Sequence, residues 1–116
     1  MDINIYHVIA TSVARNHRQH YVIVQGNLCV VLQVNEYIIL KKLMDNVNKP
    51  VKEADLFDEV SVNSTNPGLV YVYVHKLRMR LVNFPLKIRT KNKDKKNGAT
   101  LFTLVSEEPL VLKIAA

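Results

Sequence analysis

The stretch VYVYVHKLRMRL, residues 70–81, decides how the rest of the chain is read. Val70, Val74, Leu77 and Leu81 follow one another at steps of four, three and four, which gathers them into one arc of an ideal helix. That arc is the expected core side. Opposite it fall Val72, His75, Lys76 and Met79, with Tyr71 and Arg78 on one flank and Tyr73 and Arg80 on the other. Valine and methionine among cations are a poor recipe for a face that only meets water. In a DNA major groove they have partners, because apolar side chains touch the thymine methyl while Lys and Arg donate to guanine. Lys76 is the candidate for a base edge. Arg78, Arg80 and Tyr73, at the shoulders, suit phosphates.

Working outward, Asn66-Pro67 looks like an N-cap followed by proline in the first turn of this helix, after a polar loop over 61–66. A shorter helix is predicted over Glu53–Val60, with Ala54, Leu56, Phe57 and Val60 on one side. Before it, Tyr37, Leu40, Leu43, Met44 and Val47 mark a helix capped by Asn35 and ending before Pro50. Residues 3–9, 21–24 and 28–32 are short and β-branched, with Gln25-Gly26-Asn27 as a hairpin turn, so a small antiparallel sheet should open the chain. Downstream, 86–90 and 100–105 read as strands joined by a basic finger over Lys91–Ala99. The apolar tail from Pro109 reads as an added strand or a docking segment.

The length of 116 residues allows one domain: an amino-terminal sheet over 1–34, a three-helix core over 35–83, a hairpin over 86–105 and an extension over 106–116. The net charge is +6, and its placement is more telling than its size. Between Lys76 and Lys96 nine cations face one acid, Asp94, whereas 45–59 holds five acids against Lys49 and Lys52. Such polarity points to an acidic partner, with nucleic acid first.

The order of sheet, three helices and basic hairpin predicts an α+β winged helix-turn-helix. In its residues, 70–81 resembles the recognition helix of the OmpR/PhoB-type DNA-binding domain, whose pattern is Val-x-Val-x-Ile-x-x-Leu-Arg-x-x-Leu, with Val74 at the isoleucine. Asn35-Glu36-Tyr37, the segment 50–56 and Ile88-Arg89-Thr90 are similar to other parts of that family's pattern. The resemblance spans about 20–105. It implies a third helix in the major groove and a wing in the adjacent minor groove. The resemblance thereby implies DNA contact for Val72, Lys76, Arg78 and Thr90, and the helix geometry and basic finger add Tyr73, His75, Met79, Arg80, Arg89, Lys91, Lys93, Lys95, Lys96 and Asn97 as candidates. The family's loop before the third helix often meets RNA polymerase. Here that loop is shorter, Ser61 stands at the usual Trp and Gly68 at the usual Arg, and lysines lengthen the wing. A receiver domain does not fit within this length, so a stand-alone module is expected, as two copies on neighbouring half-sites.

Other chemistry finds little support. His17 and His20, with His7 or Cys29, lack the close tetrahedral donor spacing of a zinc site, and Cys29 reads as a small buried hydrophobe. Asp55, Asp58 and Glu59 read as the wet side of a helix. No phosphate-cradling glycine loop or Ser/His/Asp set is present. Catalysis, a metal and a cofactor are therefore not expected, nor is a membrane span. The expected function is sequence-specific duplex DNA binding by a cytoplasmic bacterial transcription regulator. The alternative is a protein-interaction module for RNA polymerase or another regulator.

Overall fold

The structure, a computed structural model, describes residues 1–11, 17–60, 66, 68–94 and 99–115, without side chains for 9–11, 17–19, 92–94, 99 and 115. The elements run β1 (Asp2–Thr11), β2 (His17–Gln25), β3 (Leu28–Gln33), α1 (Val34–Met44), β4 (Val51–Lys52), α2 (Glu53–Val60), α3 (Leu69–Arg80), β5 (Leu86–Asp94), β6 (Ala99–Ser106) and β7 (Val111–Ala115). The class is α+β, with a four-stranded sheet in the order β3-β2-β1-β7 and a three-stranded sheet in the order β4-β6-β5.

The expected winged helix-turn-helix is overturned by the first of these sheets. It is neither wholly amino-terminal nor wholly antiparallel, because β7 pairs parallel to β1, with Ile3 opposite Leu112 and Ile5 opposite Ile114. The cause lies at the chain ends. The Met1 ammonium donates to the Pro109 carbonyl at 2.8 Å, and the Val111 N–H donates to the Met1 carbonyl at 2.9 Å. These contacts direct the apolar tail onto the free edge of β1 and make a mixed sheet larger than a winged helix with an antiparallel N-terminal sheet would carry.

The core follows from alternation and helical period. Ile3, Ile5, Ile23 and Leu32 turn inward from the larger sheet; Leu86, Ile88, Phe102 and Leu104 turn inward from the smaller; all are buried. Between them α1 buries Ile39, Leu40 and Leu43 and touches both sheets and both other helices. The same alternation sends Cys29 out, opposite Val24, so this thiol is exposed rather than buried as expected. Rings bind the larger sheet to α1: Tyr21 stacks on Tyr37 at 3.7 Å between centroids, and His7 stacks on Tyr21 at 4.7 Å.

Helix boundaries shift for identifiable reasons. α1 is capped at Gln33, two residues before the expected Asn35, because the Gln33 N–H donates to Glu36 Oε1 at 2.9 Å, the reciprocal arm of a capping box. It ends at Met44, so Val47 lies in the following turn. In α2, Leu56 and Val60 are buried but Ala54 is exposed. α3 is capped at Gly68 rather than Asn66, whose Oδ1 accepts from the Gly68 N–H at 2.9 Å; Pro67 and 61–65 lie outside the described residues.

Candidate nucleic-acid interface

Helix α3 is held by its apolar arc. Val70, Val74, Leu77 and Leu81 are all buried, which fixes the rotation of every other side chain on the helix. Val72, His75, Lys76 and Met79 are consequently exposed, Val72 at 46% and Met79 at 66%. β7 lies on β1 and does not cover this face.

The flanks behave differently from the outer face. Arg78 donates from Nε and Nη2 to the Ile88 carbonyl at 3.1 and 2.9 Å, and from Nη2 to Thr90 Oγ1 at 2.6 Å. One guanidinium therefore rivets α3 to β5. Its Nη1 protons remain, with no hydrogen-bond acceptor among the described residues. Arg80 donates from Nε to Glu36 Oε2 at 2.9 Å, and that carboxylate is fully buried. A buried charge requires such a partner, so Arg80 braces the end of α3 against the start of α1 through its Nε, and Glu36 sets the direction of its guanidinium.

Both flanking tyrosines are also engaged. The Tyr71 hydroxyl donates to Thr100 Oγ1 at 2.8 Å, and its ring meets Phe102 edge-on at 5.6 Å. The half-buried Tyr73 accepts from Asn35 Nδ2 at 2.9 Å, and Lys76 Nζ sits 5.8 Å from the centre of its ring. That cation–π contact biases the lysine toward one side of the helix without neutralising it.

Strand β5 is the edge of its sheet, paired to β6 alone, with a register shift between Asn92 and Asp94. Lys91 and Lys93, expected in a loop, belong to this strand. Alternation places Thr90 on the side of Leu86 and Ile88, toward Arg78, and puts Lys87, Arg89 and Lys91 on the other side. All three of those cations are exposed, and none forms an ion pair among the described residues. Lys87 and Arg89 share a shallow hollow with Glu107 and Glu108, so Arg89 does not converge on the outer face of α3. The Lys93 side chain and all of Lys95, Lys96 and Asn97 lie outside the described residues.

Sequence reasoning found the exposed residues of α3 but missed the groups that hold it: Glu36, Asn35, Thr100 and the Ile88 carbonyl. Only Glu36 left a trace, as an acid three positions after Gln33 in the spacing of a capping box. No helix is long and apolar enough to cross a membrane among the described residues. No protein-family model matches this chain, and no curated protein matches it either.

Proposed function

We propose that the chain binds double-stranded DNA, with α3 in the major groove and the basic β5–β6 hairpin along the neighbouring phosphates and minor groove. The observation that carries this reading is the riveted pair of elements: Arg78 joins a helix with an exposed mixed face to an edge strand rich in unpaired cations. Rigid, positively charged and open surfaces of this kind suit a polyanion whose groove admits one helix. Lys76 serves a base edge, Arg78 offers its Nη1 protons to a phosphate, and Lys87, Arg89 and Lys91, on the other face of β5, add only longer-range attraction. Transcription regulation in the cytoplasm of a bacterial cell, by two copies on adjacent half-sites, is the role that fits such binding.

Salt dependence tests it. If about six phosphates are neutralised, the logarithm of the association constant falls with the logarithm of salt at a slope of about −5. Binding that ignores salt, or equal losses from Arg78→Ala and Lys42→Ala, would sink the reading. A protein partner, such as RNA polymerase or another regulator, is the second reading, favoured by the 46% and 66% exposure of Val72 and Met79. Random duplex at low salt separates the two, since a protein-docking surface gives little anisotropy change there.

A further inference from the structure

Each flanking side chain of α3 is anchored inside the molecule by at least one hydrogen bond. Arg78 serves β5, Arg80 serves Glu36, Tyr71 serves Thr100, and Tyr73 is engaged with Asn35. On the outer face only His75 and Lys76 lack a hydrogen-bond partner among the described residues. The remainder of that face is apolar. Val72 and Met79 stand seven residues apart, within about 20° of each other around an ideal helix and about 10 Å apart along it. Beside Met79, the surface between Lys76 and Arg80 forms an open, mainly apolar hollow.

From this we infer that α3 selects its DNA through thymine 5-methyl groups, with Val72 and Met79 as the contacting residues and A·T-rich duplex as the ligand class. The inference rests on the duplex-DNA reading above and extends it to specificity. Thymine displays the one apolar group on the major-groove edge of unmodified DNA, and an apolar side chain gains only there. Against a G·C pair the same side chains cover donors and acceptors without replacing their hydrogen bonds, which is unfavourable. At a base-pair rise of 3.4 Å the spacing of the two residues corresponds to thymines about three steps apart. Lys76, between them, holds the helix by charge and donates to whichever acceptor faces it.

Uracil isolates this contact, because it differs from thymine only in lacking the methyl and leaves the minor-groove edge unchanged. The experiment measures anisotropy of an all-A·T duplex of about 20 base pairs, long enough for two half-sites, and of the same duplex with deoxyuridine replacing every thymidine. The expected result is weaker binding of the uracil duplex by about fourfold for each methyl contacted, the value of one buried methyl-sized group. In Val72→Ala/Met79→Ala, whose substitutions fall on exposed positions, the preference should vanish while the melting temperature is kept. Equal affinity of the unmodified protein for both duplexes overturns the methyl inference and leaves DNA binding standing. A preference that survives in the double variant overturns the assignment to Val72 and Met79. No binding to either duplex at low salt overturns both the inference and the reading beneath it.

Discussion

Helices α2 and α3 use their polar residues in opposite ways. In α2 the apolar residues Leu56 and Val60 are buried, while Asp55, Asp58 and Glu59 are exposed and make no ion pair among the described residues. Its charges do what surface charges ordinarily do and keep water. In α3 the arginines and tyrosines of the flanks are bonded within the molecule, and the apolar Val72 and Met79 stand in solvent beside His75 and Lys76. The arrangement gives up ordinary solvation in return for a rigid face with apolar contacts on offer. A helix that only closed the core would gain nothing from that inversion, which is why α3 and not α2 is the candidate surface.

The contrast breaks most visibly at Arg80. Arg80→Met leaves the Glu36 carboxylate buried without its cation, and a loss of about 3 kcal/mol is expected in urea unfolding. Asp58→Asn on α2 should shift stability by less than about 0.5 kcal/mol. Equal effects would erase the distinction. Arg78→Ala comes next: losing its bonds to Ile88 and Thr90 should cost about 1–2 kcal/mol of stability and loosen α3 from β5. The salt slope for duplex binding should also become shallower by about one unit, a change that a purely structural arginine would not produce. Lys76→Ala should leave the melting temperature in place and weaken duplex binding by about 1 kcal/mol, sharpening the division between residues that hold the helix and residues it presents.

A smaller effect concerns the ring stack beneath. Burial raises the Tyr37 pKa above its ordinary value near 10.0, partly offset by Lys41, with Tyr21 and Asp45 adding to the rise. The folded state then holds this proton more tightly than the unfolded one. Its contribution is fully present below the unfolded pKa and declines as pH climbs through the raised folded value. Stability should accordingly fall with pH above about 10, and Tyr37→Phe should flatten that alkaline limb in unfolding curves taken between neutral and strongly alkaline pH.

The side-chain period of 70–81 was legible because four apolar residues in one arc leave a single rotation that buries them all. The exposed set Val72, His75, Lys76 and Met79 follows from the same geometry. What α3 binds inside the molecule was not legible, because Arg80 and Glu36 are 44 positions apart and nothing local distinguishes a buried glutamate from a solvated one. Arg78 and Thr90 posed the same difficulty across a turn and a strand. Asn35 misled because it is a good cap by type, whereas Gln33 is the cap by virtue of the glutamate three residues on. The tail was legible as apolar and short, yet five residues cannot say which edge they join. That choice, made by contacts at Met1, is what turned an expected antiparallel sheet into a mixed one and removed the winged-helix architecture.

The parallel pairing of β7 with β1 has a consequence for how the molecule is made. The Met1–Pro109 contact spans 108 positions, so the outer edge of the first strand waits for its cover until residues 111–115 have been made. Until then it carries unpaired amides and carbonyls, an invitation to association between nascent chains. Closing so long a loop is entropically slow and places the completion of this sheet late in folding. A chain cut after residue 106 would keep α3 and its hairpin but display that bare edge, and should aggregate where the intact chain does not.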